Sequence, residues 1–260
     1  MKVLIRDILG RETVSFLSKL AKKYFPTDQI TEEKRELEKR IKFYSSFISK
    51  NELCFDVGAN IGNRIEPLLL LGANIVAIEP QEQCHEILQN RFGDKIVIVT
   101  KGLSDIEETK DFYISNASTI SSFSKEWINS VKDGRFKAYQ WRETIKVEMT
   151  TLDALINIYG IPSFIKIDVE GYELEVLKGL SQPIKTISFE YTVPEQVERA
   201  IDCIKQIEKF APNLECNYSV GETMQFTYDK WIKPAEMKLH IRSSGFIDSH
   251  FGDIYCRLRE

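Results

Sequence analysis

Residues Leu53–Gly62, LCFDVGANIG, decide the fold. The first five residues form an apolar run interrupted only by Asp56, a pattern that favours a strand buried on both faces. Gly58 and Gly62 then frame a tight turn, and the leucine-rich segment after it has the spacing of an amphipathic helix. A strand that ends in glycines at a helix N-terminus offers backbone that a ligand can approach and N–H groups that point outward. The stretch therefore predicts a site for a small polar ligand.

A second apolar run, Asn74 to Ile78, predicts the neighbouring strand and ends at Glu79. Glu79 follows Gly58 by 79 − 58 = 21 positions. This is close to the roughly 20-residue offset at which an acidic side chain binds ribose hydroxyls in nucleotide-binding βαβ units. The glycine string GANIG lacks the middle glycine of the dinucleotide pattern, which lets the backbone approach a pyrophosphate. A nucleoside ligand without a pyrophosphate is the prediction.

Further along the chain, FIKIDVEGYE at 164–173 is followed by LKG at 177–179. Together with DVGANIG, these motifs resemble the FkbM-type methyltransferases, a branch of the class I S-adenosylmethionine-dependent methyltransferases that is mostly associated with O-methylation of sugars and natural products. The resemblance spans about Glu52 to Tyr191. It implies an α/β fold with a doubly wound, mostly parallel seven-stranded sheet, and S-adenosylmethionine as the cofactor.

The resemblance also implies cofactor-binding residues. In that family the glycine turn lies under the methionine part, the acidic residue after the second strand binds the ribose, and the loop after the third strand touches the adenine edge. The residues at these places are Asp56, Gly58, Ala59, Asn60, Gly62, Glu79, Pro80, Ser104, Asp105 and Asp168. For Ser104 and Asp105, a simple turn is the alternative interpretation.

Three carboxylates are the candidate catalytic residues. Asp168 and Glu170 follow the predicted fourth strand, and Glu190 lies at the carboxyl end of the fifth, so all three face the crevice where such sheets bind ligands. A sugar hydroxyl has a high pKa and benefits from a base that removes its proton as the new bond forms. A divalent metal held by these carboxylates is another solution, although no histidine or cysteine spacing of a metal site is present. Structural alternatives are binding the cofactor's amino group or capping the next helix.

Lys166 lies within the predicted fourth strand, where an unpaired charge would be costly. Asp56, at the end of the neighbouring first strand, is the predicted partner. This pair is either structural or fixes the charge pattern beneath the methionine group.

The chain divides into a helical N-terminal extension at 1–50 and a methyltransferase domain at 51–260. In the extension, residues 12–25 have helical spacing, and Thr31 is the predicted N-cap of a second helix. Within the domain, residues 116–143 form a long polar insertion between two predicted strands. It carries Trp127, Arg135, Tyr139, Trp141 and Arg142, side chains that suit a sugar ring. The insertion is either a substrate lid or a structural elaboration of the fold.

Composition excludes several other classes. A chain of 260 residues fits one α/β domain, and a net charge of −4 gives no general attraction for nucleic acid. The five cysteines lack the spacing of a metal site and are predicted to be reduced residues of the core. The N-terminal apolar run is too short for a signal peptide and none reaches the roughly 20 residues of a membrane span, so a cytoplasmic location is expected. Oligomeric state is not encoded in these patterns.

Two other functions compete with methyl transfer. A nicotinamide-dependent oxidoreductase would use the same type of sheet, but the missing middle glycine counts against it. A non-catalytic nucleoside-binding protein would retain the fold, whereas the combination of Gly58, Gly62, Glu79 and Asp168 favours an enzyme. The expected methyl acceptor is a small molecule or a glycan.

Overall fold

The computed structural model describes residues 27–259. The helix predicted at 12–25 lies outside these residues. None of the described helices is both long and apolar enough to cross a lipid bilayer.

A seven-stranded sheet runs through the centre of the domain, as predicted. Its order is β3-β2-β1-β7-β8-β10-β9, and β10 alone runs in the direction opposite to the other six strands. The strands are β1 Leu53–Val57, β2 Asn74–Ile78, β3 Ile96–Val99, β7 Phe164–Ile167, β8 Thr186–Thr192, β9 Leu214–Val220 and β10 Phe251–Leu258. Because β1 lies between β2 and β7, the glycine turn emerges where the strand order reverses, which is where open α/β sheets bind ligands.

Helices cover both faces of this sheet, which explains the apolar strands. The helices are α1 Thr27–Tyr44, α2 Ile65–Leu70, α3 Glu82–Phe92, α4 Lys125–Val131, α5 Leu152–Tyr159, α6 Glu173–Lys178, α7 Val197–Glu208, α8 Pro234–Ile241 and α9 Ser244–Ile247, of which α4 belongs to the insertion. Helices α1 to α3 pack on one face around Tyr44 and Leu68, and α5 to α9 pack on the other around Leu155 and Ile204. Each face therefore has its own hydrophobic core.

A separate three-stranded sheet flanks the insertion. It consists of β4 Gly102–Leu103, β5 Thr109–Ser115 and β6 Trp141–Thr150, in the order β4-β6-β5. The two extra strands predicted around residues 116–143 are thus confirmed as the antiparallel pair β5 and β6. They hold the ends of the insertion together.

The predicted N-cap of the N-terminal helix is wrong. Thr31 is not an N-cap, because α1 already begins at Thr27, directly after Pro26, and Thr31 lies inside it. Residues 225–228, which follow β9, form a loop. The Asn217 side chain bonds both the N–H and the C=O of Tyr228 and so takes the place of a strand partner.

Candidate functional site

A cavity opens at the carboxyl ends of the central strands. Its walls come from the glycine turn, the ends of β2 and β7, the insertion and helix α1. The lining residues are Arg40, 56–61, Asn63, Arg64, 78–81, Gly102, Leu103, Phe112, Ser118, Thr119, Ser121, Phe123, Lys166, 168–170, Tyr172, Glu190 and Glu222. Of the predicted cofactor residues, Asp56, Gly58, Ala59, Asn60, Glu79, Pro80 and Asp168 lie on these walls.

Gly58 brings two strands into contact at the base of the cavity. Its φ is +81°, and a Cβ built there would lie 1.8 Å from the carbonyl oxygen of Asp168. Only glycine allows this backbone conformation and this approach together. Gly62, also with a positive φ, faces the Phe92 ring of α3 and does not line the cavity.

The backbone N–H groups of the turn do not point outward, contrary to the prediction. Gly58 and Ala59 both donate to the Ile78 carbonyl, at 2.9 and 3.1 Å, and Gly62 donates to the Ala59 carbonyl at 2.8 Å. The Asn60 N–H donates to Glu79 and the Ile61 N–H to the Asn60 side chain. The N–H groups of the turn are all hydrogen-bonded within the protein, because the turn folds back onto the end of β2. A ligand here must be held mainly by side chains.

Glu79 closes the turn from the next strand. Its carboxylate accepts the Asn60 N–H at 2.8 Å on one oxygen and the Gln81 N–H at 2.9 Å on the other. The residue is 2% exposed and lines the cavity, and burial raises its pKa. Since a carboxylate has about four lone-pair positions, each oxygen retains one for a hydroxyl group of a ligand.

An apolar slot lies beyond Glu79. Ile78, Leu103, Phe112 and Phe123 line it, and the last two rings are 4.5 Å apart between centroids. Such walls suit a flat aromatic base.

Ser104 and Asp105 do not reach the slot. The Ser104 hydroxyl is buried and bonds the Asp105 carboxylate at 3.0 Å and the Tyr172 hydroxyl at 3.2 Å. Gly102 and Leu103, which form β4 directly before Ser104, line the cavity in their place.

The three predicted catalytic carboxylates meet on the wall of the cavity. Asp168, Glu170 and Glu190 each place one oxygen within 4.8 Å of the other two. They come from the ends of the adjacent strands β7 and β8. Carboxylate oxygens at this spacing could share a proton or hold a divalent cation.

Lys166 pairs with Asp168, which corrects the predicted pair with Asp56. Its Nζ donates to Asp168 Oδ2 at 2.6 Å, and its side chain is 3% exposed. Asp56 is the registered partner of Lys166 across β1 and β7, yet both of its carboxylate oxygens are buried without a hydrogen-bond partner among the described residues. Burial raises the pKa of Asp56 to about 6.

The three carboxylates differ in the direction in which their surroundings shift the pKa. Although burial opposes it, the charge and hydrogen bond of Lys166 hold the pKa of Asp168 below its usual range. Burial, followed by the negative charge of Asp168, raises the pKa of both Glu170 and Glu190 well above the usual value. A carboxylate with a raised pKa is a stronger base once it is deprotonated. The structure thus contains one ionised anchor and two candidate bases.

The insertion is fastened to this site at several points. The Ser122 hydroxyl donates to the Glu170 carbonyl at 2.7 Å, and the Gln81 amide donates to the Ser118 carbonyl at 3.1 Å. Trp127 is fully buried and packs over Gly171, so it is a core residue of the insertion and is not available to stack on a sugar. The predicted sugar-stacking role is therefore wrong for Trp127.

A sequence model of the methyltransferase FkbM domain matches residues 56–247. The chain belongs to this family. The match extends well past Tyr191 and includes β9, so this part of the chain carries family sequence that the motifs alone did not reveal. Membership in the FkbM family also argues against the nicotinamide-dependent oxidoreductase.

Individual relatives are more distant. The hexuronic acid methyltransferase AglP of Haloferax volcanii is 26% identical over 145 residues, which are 54% of this chain and 54% of that protein. The chain therefore matches about half the length of this curated relative. Among solved structures, a precorrin-6y C5,15-methyltransferase from Geobacter metallireducens is 10% identical, with a TM-score of 0.43 and coverage of 85% of this chain and 86% of that chain. An O-methyltransferase from Bacillus cereus in complex with SAH is 13% identical, with a TM-score of 0.40 and coverage of 87% and 81%.

The cavity fits the cofactor of the FkbM family, S-adenosylmethionine. The apolar slot could hold the adenine, and the remaining lone pairs of Glu79 could accept the ribose hydroxyls. Asp56 presents two buried oxygens without partners, which could accept the α-ammonium group. The adenine, the ribose and the α-ammonium group of the cofactor could thus each meet a chemically matched part of the wall.

Three charged residues that line the cavity were not predicted from the sequence: Arg40, Arg64 and Glu222. Arg40 lies in a charge-rich helix that reads as a solvated face, and Glu222 lies in a C-terminal segment without a motif. Arg64 follows Gly62 by two positions. Of the three residues, it alone could have been predicted to line the cavity, because the N-cap of the helix after such a turn faces the ligand.

Proposed function

We propose that this protein transfers a methyl group from S-adenosylmethionine to a hydroxyl oxygen of a sugar or glycan. The observation that carries the proposal is the meeting of Asp168, Glu170 and Glu190, within 4.8 Å of one another, on the wall of a cavity that suits a nucleoside. Bound S-adenosylmethionine supplies an electrophilic methyl group, so the protein's main tasks are alignment of the acceptor and removal of its proton.

Glu170 and Glu190 are the proposed bases. As the oxygen–methyl bond forms and the carbon–sulfur bond breaks, the hydroxyl proton passes to one of these carboxylates. Asp168, held ionised by Lys166, positions the acceptor and keeps the pKa of the two glutamates high. A divalent cation on the same three oxygens remains the alternative way to lower the pKa of the hydroxyl.

A sugar acceptor is supported by two observations. The cavity wall beyond the glycine turn is made of charged and amide side chains, which suit a molecule with many hydroxyl groups. The relative AglP is named as a hexuronic acid methyltransferase.

The insertion at 116–143 is the proposed lid, since it borders the apolar slot and bonds the loop of Glu170. Residues 27–50 form part of the proposed N-terminal extension. A cytoplasmic location is supported by the five buried, unpaired cysteines.

The test measures methyl transfer in three single variants, Asp168→Asn, Glu170→Gln and Glu190→Gln. First, mass spectrometry of a cell extract incubated with isotopically labelled methyl donor identifies an accepted substrate. Turnover is then compared with S-adenosylhomocysteine binding in each variant. We expect turnover to fall about 100-fold or more in at least one glutamate variant, while the product still binds.

Glu126→Gln is the matched control, because this side chain is 81% exposed on the insertion. Wild-type turnover in all three cavity variants would remove the carboxylate base from the proposal. Labelled methyl found only on nitrogen or carbon atoms would remove the hydroxyl acceptor.

A further inference from the structure

Three charged side chains close the end of the cavity that lies beyond Asp56. Arg40 comes from helix α1, Arg64 is the N-cap residue of α2, and Glu222 follows β9. Arg64 Nη2 lies 2.7 Å from Glu222 Oε1, and Arg40 Nη2 lies 3.6 Å from Glu222 Oε2. All three side chains line the cavity. Two guanidinium groups thus share one carboxylate at this end.

The donors of this arginine pair exceed the acceptors that face them. Each guanidinium carries five N–H donors. Arg64, 11% exposed, has Glu222 and the weak sulfur acceptor of Met224 as its hydrogen-bond partners, and Arg40 Nε is buried with no partner among the described residues. Glu222 is 53% exposed, so part of its charge is screened by solvent. The pair therefore has capacity for a second carboxylate.

The neighbouring acidic groups do not fill this capacity. Asp56 and Asp253 both lie near enough to affect Arg64 electrostatically, yet neither forms an ion pair with it within 4.0 Å among the described residues. Lys166 contributes further positive charge, but it is bonded to Asp168.

The glycine turn gives a second reason for a side-chain site. The N–H groups of residues 58–62 are all donated within the protein, so they cannot serve a ligand carboxylate without breaking those bonds. Asp56, with two unpartnered oxygens, lies on the same wall as the arginines. A buried carboxylate and a guanidinium pair on one wall match the ammonium and carboxylate groups of an α-amino acid.

We infer that Arg40 and Arg64 form a carboxylate-binding site at this end of the cavity, with Glu222 holding the two guanidinium groups in place. The inference rests on the proposed function, because the methionine group of the cofactor is one source of the carboxylate. The other source is an acceptor that carries a carboxylate, such as a uronic acid. In either case helix α1 supplies a binding residue to the site and does more than cover the sheet.

Calorimetric titration of the full chain with S-adenosylhomocysteine and with methylthioadenosine separates these cases. Both ligands contain the adenosine group, but methylthioadenosine lacks the amino-acid end. The variants are Arg64→Met, Arg40→Met and, for rescue, Arg64→Lys, with Arg35→Met as control. Arg35 lies on the same helix and is 68% exposed. Retained binding of methylthioadenosine shows that each variant is folded and keeps its nucleoside site.

If the carboxylate belongs to the cofactor, Arg64→Met and Arg40→Met weaken S-adenosylhomocysteine about 10- to 100-fold and leave methylthioadenosine unchanged. Arg64→Lys then recovers part of the loss. Glu79→Gln is the comparison, since loss of a ribose contact weakens both ligands alike.

If the carboxylate belongs to the acceptor, the arginine variants bind S-adenosylhomocysteine normally. The product-saturated wild type then binds glucuronate more tightly than glucose, and Arg40→Met removes the difference. Normal binding of S-adenosylhomocysteine and no preference for glucuronate would overturn the carboxylate site alone. A wild-type protein that binds neither nucleoside would overturn the proposed function, and the inference with it.

Discussion

Lys166 Nζ lies 2.6 Å from Asp168 Oδ2, two residues along the same chain segment, while the Asp56 carboxylate directly across the sheet has no hydrogen-bond partner among the described residues. This choice of partner separates two tasks. Asp168 is kept ionised beside the candidate bases, and Asp56 lines the cavity with both carboxylate oxygens unpartnered, as the proposed contact with the cofactor requires.

Replacing Lys166 by methionine should destabilise the protein. The change leaves Asp168 without its cation among other carboxylates, and removal of one member of a buried pair costs about 3 kcal/mol or more. We expect a loss of about 3 kcal/mol in the free energy of unfolding, because Asp168 itself is 29% exposed and solvent compensates in part. Urea denaturation followed by circular dichroism measures the loss.

Lys205→Met provides the control for this substitution. Lys205 pairs with Asp202 at 2.8 Å, but the two side chains are 54% and 45% exposed. Such surface pairs contribute about 0–1 kcal/mol. Equal losses in the two variants would show that the buried pair has no special role.

Gly58→Ala should destabilise the protein and disturb the site. The added methyl group would lie 1.8 Å from the Asp168 carbonyl oxygen, on backbone with a φ of +81°. We expect a loss of at least about 2 kcal/mol, or roughly 5 °C in Tm. Gly134→Ala is the matched change, since nothing lies within 4 Å of its added Cβ, and it should alter Tm by little. A Gly58 variant as stable as the Gly134 variant contradicts the close packing of β1 and β7.

Glu173 should make stability decrease as pH rises. Burial raises its pKa from 4.5 to about 7, against the N–H groups of Gly171 and Val169, which favour the charged form. Between these pKa values the unfolded state has lost the proton and the folded state keeps it. Stability from this group is therefore complete below pH 4.5 and is lost as pH rises through about 7.

Glu173→Gln removes this titration and retains an acceptor oxygen for the two N–H groups. The free energy of unfolding of the variant, relative to wild type, should increase by about 2 kcal/mol between pH 5 and pH 7.5. Urea denaturation at both pH values measures the change. Glu86→Gln, on the exposed side of α3, is the control. Parallel pH profiles for wild type and Glu173→Gln would show that Glu173 does not titrate in this range.

Arg135→Ala should loosen the insertion. Arg135 reaches from the insertion to the Val193 carbonyl at 2.6 Å, the His250 carbonyl at 3.2 Å and the Glu195 carboxylate at 3.2 Å. Loss of the Arg135 side chain should leave the sheet intact and speed chymotrypsin cleavage within residues 116–143 several-fold. Mass spectrometry of the fragments measures the cleavage rate. Arg142→Ala changes an exposed arginine of the same region and should cleave like wild type. Unchanged cleavage in both variants would mean that other contacts anchor the insertion.

The motifs predicted the elements that lie close together in the sequence. Strands β1, β2 and β3 and the turn at Gly58 follow from apolar runs and glycine spacing, because strand burial and positive φ are local demands on residue type. The meeting of Asp168, Glu170 and Glu190 also followed, since the ends of adjacent parallel strands share one edge of a sheet.

Contacts between distant segments were not predictable in this way. The Arg40 and Arg64 pair with Glu222 joins residues up to 182 positions apart, and the Trp127 ring packs on Gly171. No local pattern marks such contacts, because they depend on how the helices and loops pack over the sheet.

By itself, then, the sequence determined the family, the central strands as separate elements and the acidic edge of the site, all of which rest on short-range residue patterns. Only the tertiary structure decided that Lys166 pairs with Asp168, that the N–H groups of the glycine turn are hydrogen-bonded within the protein, and that two arginines line the cavity. Each of these depends on distances of a few ångströms between side chains and backbone groups, and packing sets those distances.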